Sequence, residues 1–274
     1  MARLGGGLAY PPVDGRPAMS YPASFYSALH RGTPGDLDHY RRVCEGASSI
    51  LELGCGYGRV VTALAASGRT IVGVELDPQM LALARAAVET LAPSLRAGIT
   101  LCHGDMRDLS LPQRFERVLV PFGGLYCMLD DAELDAALRT VTHHLAPGGR
   151  AAFDVYRADE FHATAEPEDV PADAHTPLTR VEVDGVPYEV LERSRWDRDH
   201  QRIDVEYLYV SEQGDAVVGT IEQRYLLEPQ LHAALARAGL RVVEQHGGFV
   251  APEPRREDED EDELLVLVVA RVGE

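Results

Sequence analysis

Short apolar runs alternate with segments of helical period through the first 157 residues of the chain. The apolar runs have the length and the branched side chains of buried strands and cover residues 49–53, 70–75, 99–103, 117–121 and 150–156. Amphipathic segments at 60–66, 78–91 and 132–145 lie between them and predict helices. Strands that alternate with helices of this length predict a doubly wound α/β core, with a mostly parallel sheet covered on both faces.

After residue 157 the pattern changes to alternation of apolar and polar positions, which is typical of antiparallel strands. Turn signals separate four such runs, at 179–183, 188–196, 202–210 and 216–226. The first turn is Asp184-Gly185, a strong hairpin dipeptide. One face of the third run carries only apolar and aromatic side chains, those of Ile203, Val205, Tyr207 and Tyr209. We therefore expect an inserted antiparallel β subdomain, followed by a helix at 229–238 and two last strands at 240–246 and 264–272.

These patterns divide the chain into five parts. A mobile N-terminal arm rich in Gly and Pro (1–20) precedes a helical cap (21–46) and the α/β core (47–157). The inserted antiparallel subdomain (158–227) follows, and residues 228–274 complete the core sheet.

Composition and charge narrow the classes of partner. The chain has 26 basic and 44 acidic residues and a formal net charge of -18, which argues against nucleic acid because such binding depends on cations that neutralise phosphates. Part of the acidity lies in 257–263, where we expect a solvated loop. No apolar run reaches the roughly 20 residues that span a bilayer, and the N-terminus lacks the pattern of a signal peptide. We expect a cytoplasmic protein without a membrane partner.

The four cysteines are Cys44, Cys55, Cys102 and Cys127, and none are in C-x-x-C spacing. Their scatter predicts neither a zinc site nor a disulfide framework, so no metal is expected.

The candidate chemistry begins where the first strand ends. Gly54, Gly56 and Gly58 are spaced so that backbone can touch a ligand that side chains would exclude. About twenty residues later Glu75 ends the second strand, where a carboxylate can accept hydrogen bonds from a ribose. Glu52 adds a carboxylate near the place of a bound α-ammonium group. The spacing differs from the G-x-G-x-x-G of pyrophosphate sites, which favours a ligand with a ribose and an amino acid over NAD. A tight turn without a ligand remains the alternative.

A third signal follows the third strand, at Gly104-Asp105-Met106. A carboxylate there can accept a hydrogen bond from the exocyclic amine of adenine, although Asp105 alone could simply cap a turn. The order of strand, glycine loop, Glu75 and Asp105 is more specific than any one of these features.

In these segments the chain resembles the class I S-adenosylmethionine-dependent methyltransferases. The matching segments are 50–59, 74–81, 104–108 and 145–149. The resemblance implies a Rossmann-like, seven-stranded sheet, S-adenosyl-L-methionine as cofactor and S-adenosyl-L-homocysteine as product. In it the glycines line the methionine part, Glu75 holds the ribose, Asp105 and Met106 hold the adenine, and Tyr26 closes over the cofactor. The full set of implied cofactor contacts is Tyr26, Glu52, Gly54, Cys55, Gly56, Gly58, Arg59, Glu75, Leu76, Asp105, Met106, Pro121 and Phe122.

The antiparallel insert makes the chain similar to small-molecule N-methyltransferases, including amino-sugar N,N-dimethyltransferases. Where some of those enzymes carry a histidine over the acceptor, this chain has Tyr126 or Cys127. Ligands of open α/β sheets bind beyond the carboxyl ends of the strands, and the catalytic candidates there are Tyr126, Asp154 and His246. Each residue also has a structural interpretation. Tyr126 could belong to the core or to the wall of the pocket, Asp154 could pair with a neighbouring arginine, and His246 could be an exposed loop residue.

Methyl transfer from a sulfonium is an in-line displacement that depends mainly on alignment in a site with little water. We therefore predict a methyltransferase that acts on nitrogen or oxygen of a small-molecule acceptor, with the insert as a roof and as a surface that could support a homodimer. Three alternatives stay open: a protein or peptide methyltransferase, a non-catalytic regulatory protein that binds S-adenosylmethionine, and a nicotinamide oxidoreductase.

Overall fold

Two short helices begin the part of the chain that the computed structural model describes, which is residues 21–170, 174–249 and 264–273. They are α1 (Ala23–Leu29) and α2 (Asp36–Val43), and both lie within the predicted helical cap. The arm predicted at 1–20 and the acidic run at 257–263 lie outside the described residues.

Strands and helices then alternate as the hydrophobic pattern predicts. In chain order they are β1 (Ser49–Leu53), α3 (Arg59–Ala63), β2 (Thr70–Glu75), α4 (Pro78–Glu89), α5 (Pro93–Arg96), β3 (Ile99–His103), β4 (Phe115–Val120), α6 (Asp131–His144) and β5 (Leu145–Tyr156). Helix α4 begins sharply because the Asp77 side chain accepts hydrogen bonds from two first-turn amides and Pro78 occupies the first helical position. Helix α5 was not predicted, since four residues are too short to show a helical period.

The remaining elements form the insert and complete the core. A second unpredicted short helix, α7 (Asp159–Thr164), leads into β6 (Thr176–Val183), β7 (Val186–Asp197), β8 (Arg202–Ser211) and β9 (Ala216–Arg224). Helix α8 (Glu228–Arg237) and strands β10 (Leu240–His246) and β11 (Leu264–Arg271) follow. Among the described helices, none has both the length and the apolar character needed to cross a membrane.

The core sheet has seven strands in the order β3-β2-β1-β4-β5-β11-β10, with β11 antiparallel to both of its neighbours and β1–β5 parallel. Strands β6–β9 form a separate four-stranded antiparallel sheet, here called the roof sheet. The predicted fold class is therefore confirmed. The strand order reverses between β1 and β4, and the crevice at such a switch point is where open α/β sheets bind ligands.

Helices cover both faces of the core sheet, so successive residues of a strand enter different hydrophobic clusters. Leu51 belongs to one cluster and Ile50 to the other, and both are fully buried. This explains why the core strands are almost continuously apolar.

The cap and the roof sheet pack together through aromatic residues. Tyr21, just before α1, forms a small cluster with Val190 of β7 and Tyr209 of β8. A Cβ atom on Gly219 of β9 would overlap the Tyr21 ring, so a residue without a side chain is needed there. Tyr21 is thus seated on the roof sheet.

Candidate functional site

The loop between β1 and α3 lies at the switch point of the core sheet. Its glycines have left-handed backbone angles, with φ of 71° at Gly54, 54° at Gly56 and 84° at Gly58. A Cβ atom on Gly58 would lie 3.1 Å from Ala84, and one on Gly54 would lie 3.1 Å from the methyl carbon of Met106. A Cβ atom on Gly56 would meet no heavy atom within 4 Å. The loop therefore packs tightly at Gly54 and Gly58 and presents bare backbone to open space at Gly56.

Glu75 is joined to this loop. Its Oε2 accepts a hydrogen bond of 2.8 Å from the Gly56 amide, and its Oε1 accepts one of 2.8 Å from the Asp77 amide. Burial raises the pKa of Glu75, and these amide hydrogen bonds oppose that shift. Each carboxylate oxygen can accept a second hydrogen bond, so the group remains able to bind ligand hydroxyls.

Glu52 is a buried carboxylate that lacks one partner. Its residue is 2 % exposed, and Oε2 has no hydrogen-bond partner among the described residues. Burial raises the pKa of Glu52 to about 8, Arg59 opposes the shift, and Glu75 adds to it. Burying a carboxylate oxygen without a partner is costly, so a ligand cation next to Glu52 would be stabilised. This orphaned oxygen fits the α-ammonium group of S-adenosylmethionine.

The predicted adenine contacts are in different surroundings. Asp105 is buried and forms an ion pair with Arg107, whose Nη1 also binds Glu133 Oε1 at 2.5 Å. An adenine amine would have to share the Asp105 carboxylate with Arg107, and this contact stays a prediction. Leu76 is 39 % exposed directly after β2, which leaves an apolar side chain available to a flat ring.

Polar contacts tie the cap to the glycine loop. The Tyr57 hydroxyl donates to the His30 carbonyl at 2.9 Å, and Arg59 binds Asp36 of α2 through both carboxylate oxygens, at 3.0 and 2.5 Å. Burial is the largest cause that raises the pKa of Tyr26, and the charge of Glu75 contributes. The role of Tyr26 as a residue that closes over the cofactor stays a prediction.

His30 is a site residue that sequence reasoning missed. Its ring lies 4.3 Å from the ring of Tyr26, 5.0 Å from that of Tyr207 and 6.3 Å from that of Phe122, measured between centroids. Burial lowers the pKa of His30 to about 4, so the imidazole is neutral at pH 7. The available signal was the spacing from Tyr26, because residues four apart share one face of a helix.

Asp154 and Tyr126, two of the catalytic candidates, have structural partners. Asp154 accepts hydrogen bonds from the Tyr40 hydroxyl and, at 2.8 Å, from the Phe122 amide, and burial raises its pKa to about 6. It therefore stabilises Phe122, which has a left-handed φ of 55° and is 36 % exposed. Tyr126 is fully buried, and its hydroxyl lies 3.0 Å from two backbone carbonyls. Catalytic roles for both residues stay predictions.

His246 lies two strands from Asp154. It ends the edge strand β10, where it pairs with Val266 of β11, and Val266 pairs in turn with Asp154 of β5, a separation of roughly 10 Å at about 4.8 Å per strand. Its catalytic role also stays a prediction. Two predicted cofactor contacts, Cys55 and Pro121, are buried, and Cys55 packs against Gly73.

Comparison with known proteins places this arrangement among methyltransferases. Residues 50–149 match a family model described as a methyltransferase domain. The dTDP-3-amino-3,6-dideoxy-alpha-D-glucopyranose N,N-dimethyltransferase of Streptomyces fradiae is 30% identical over 236 residues, which covers 82% of this chain and 86% of that protein.

Two solved structures share the architecture. The CcbJ methyltransferase from Streptomyces caelestis matches with a TM-score of 0.73 and 25% identity, covering 92% of this chain and 98% of that one. The sugar N-methyltransferase KedS8 from a Streptoalloteichus species matches with a TM-score of 0.65 and 25% identity, covering 96% and 98%. The similarity therefore extends over most of each protein.

Proposed function

The chain belongs to the S-adenosylmethionine-dependent methyltransferases, and we propose that it methylates the amino nitrogen of a small molecule, namely a nucleotide-linked amino sugar. The names of the Streptomyces fradiae relative and of KedS8 support this acceptor class, because both proteins are sugar N-methyltransferases.

The observation that carries the proposal is the cleft at Gly56. Open space lies against its backbone, Glu75 is hydrogen-bonded to its amide, and the buried Oε2 of Glu52 lacks a partner in the described residues. When bound there, S-adenosylmethionine supplies an electrophilic methyl group on a sulfonium. The residues that would hold it are Tyr26, Glu52, Gly54, Cys55, Gly56, Gly58, Arg59, Glu75, Leu76, Asp105, Met106, Pro121 and Phe122.

The protein's own contribution is alignment and exclusion of water. Tyr26, His30, Phe122 and Tyr207 form an aromatic layer between the glycine loop and the roof sheet. Such a layer limits water around the reacting atoms and restricts the approach of the acceptor, which is the main source of rate in a displacement of this kind.

The hydrogen bonds of the Asp154 carboxylate and the Tyr126 phenol favour nitrogen over oxygen as the acceptor atom. A neutral amine needs only its lone pair, whereas a hydroxyl benefits from a base. Asp154 and Tyr126, the candidate bases that the sequence indicates, are both hydrogen-bonded to the protein.

Formation of S-adenosylhomocysteine tests the proposal. The protein is incubated with S-adenosylmethionine and dTDP-3-amino-3,6-dideoxyglucose, with the corresponding 3-hydroxy nucleotide as a control, and products are identified by mass spectrometry. We expect one or two methyl groups on the amine and none on the hydroxyl. Turnover of a peptide panel with no turnover of amino sugars would refute the acceptor class. Cofactor binding without turnover of any acceptor would instead support a regulatory protein.

A further inference from the structure

The inner face of the roof sheet carries one carboxylate, Glu192 of β7, among the described residues of that face. Val190, on the same face two residues earlier, is fully buried against the cap, and Trp196, four residues later, packs on the main core cluster. The antiparallel register places Glu192 directly opposite Tyr207 of β8, and the Tyr207 hydroxyl acts to lower the pKa of the carboxylate. Glu192 therefore lies between the cap and the core, under the roof sheet.

The outer face of the same sheet provides a contrast. There Glu206 and Asp204 have basic partners: Arg193 binds Glu206 at 2.6 Å, and Arg202 binds Asp204 at 2.8 Å. Glu192 is partly buried and has no ion-pair partner in the described part of the chain. Burial raises its pKa, and Tyr207 opposes the shift. A carboxylate held this way is stabilised by any cation that a ligand brings to it.

The position of Tyr207 connects Glu192 to the cofactor cleft. The Tyr207 ring lies 5.0 Å from His30, and His30 in turn lies 4.3 Å from Tyr26 over the glycine loop. On the other side, Gln223 of β9 reaches the turn after β4, since its Nε2 is 3.7 Å from the position of a Cβ on Gly123. Tyr207 thus links the position of Glu192 to the aromatic layer.

The hydrogen-bond chain of His30 shows that its imidazole supplies no cation. The Tyr209 hydroxyl donates to the Phe25 carbonyl at 3.2 Å, so it accepts from the Tyr21 hydroxyl at 2.5 Å. Tyr21 consequently accepts from His30 Nε2 at 3.0 Å, which leaves Nδ1 of the neutral ring with a lone pair. His30 cannot neutralise Glu192 at pH 7, because burial keeps its pKa near 4.

We propose that Glu192, directly opposite Tyr207 in the roof sheet, is the acceptor-binding residue that recognises the amino group of the substrate. The subsite takes a primary or secondary amine in its ammonium form. One N–H proton passes to the Glu192 carboxylate, and the freed lone pair then attacks the methyl carbon as its bond to sulfur breaks. The subsite discriminates against a hydroxyl at the same position. This inference rests on the proposed function and names the group that selects its acceptor.

The test compares Glu192→Gln with Glu189→Gln in the full chain. The Gln side chain keeps an acceptor oxygen opposite Tyr207 but removes the charge. Glu189→Gln is the control, because Glu189 is exposed on the outer face of the same strand. Binding of dTDP-3-amino-3,6-dideoxyglucose and of its 3-hydroxy counterpart is measured by calorimetry with S-adenosylhomocysteine present, and kcat and KM are measured for the amine. We expect Glu192→Gln to raise Kd and KM for the amine by roughly tenfold or more, the scale of one lost charge pair.

Affinity for S-adenosylhomocysteine is expected to be unchanged in Glu192→Gln, and Glu189→Gln is expected to match the wild type throughout. Equal amine affinity in Glu192→Gln and wild type overturns the inference, as does a parallel loss of cofactor affinity, which would indicate a purely structural role. The proposed function fails separately, when the wild type forms no S-adenosylhomocysteine with the amine. Even if no product forms, the calorimetric measurements still test the role of Glu192. That role is refuted if the wild type binds the 3-amino nucleotide no more tightly than its 3-hydroxy counterpart.

Discussion

Replacing Glu75 with alanine removes the carboxylate that joins the glycine loop to the turn after β2. In the wild type this group accepts 2.8 Å hydrogen bonds from the amides of Gly56 and Asp77. If Glu75 also holds the ribose hydroxyls, its loss removes the ligand contact and the restraint on the loop together. We therefore expect Glu75→Ala to weaken binding of S-adenosylhomocysteine.

The magnitude follows from the kind of hydrogen bond. A hydrogen bond to a charged group contributes about 1.5–3 kcal/mol, and the freed amides recover part of this from water. The net loss in cofactor binding is expected to be about 1–3 kcal/mol, which raises Kd by roughly 5- to 150-fold. Glu75→Gln keeps one acceptor oxygen, so we expect a value between those of the wild type and Glu75→Ala.

Titration calorimetry with S-adenosylhomocysteine measures this effect directly. Glu89→Ala is the matched control, because Glu89 is largely exposed at the end of α4, where it pairs with Arg96. We expect the control to bind like the wild type. Wild-type affinity in Glu75→Ala would refute the assignment of Glu75 to the ribose.

Three further changes test other parts of the structure. Gly219→Ala places a methyl group on the Tyr21 ring, and we expect a loss of about 1–3 kcal/mol in the free energy of unfolding; an unchanged melting temperature would contradict this packing. His30→Asn removes a group whose pKa falls from 6.5 to about 4 on folding. Between pH 6.5 and 4 the unfolded wild type binds a proton at this histidine that the folded protein does not. The free energy of unfolding should therefore fall as the pH drops through this range, by about 1.4 kcal/mol per pH unit from this group. Denaturant titrations of the variant should lack that contribution. Asp154→Asn keeps an oxygen for both hydrogen-bond donors, so kcat should change by only a few fold, whereas a loss of about 100-fold or more would identify Asp154 as a catalytic base.

The fold of the core, and the glycine turn at which we propose the cofactor site, could both be predicted from the amino-acid sequence. Local signals were sufficient because a buried parallel strand must be continuously apolar and a sharp strand-to-helix turn must use glycine. The left-handed angles of Gly54, Gly56 and Gly58 and the strand bounds of β1, β2 and β3 agree with that reasoning. The Asp184-Gly185 hairpin was predictable for the same reason, since both residues have positive φ, at 52° and 80°.

Which polar side chains are available to bind a substrate could be read only from the tertiary structure. Asp154 and Tyr126 were candidates by their position after a strand, but their partners, such as Tyr40, lie far away in the sequence. His30 and Glu192 were not candidates in the sequence, because no local motif indicates that an imidazole is neutral or that a carboxylate has no ion-pair partner among the described residues. A side chain's hydrogen bonds and its burial depend on segments that only folding brings together, and these two quantities determine whether the side chain can act on a ligand.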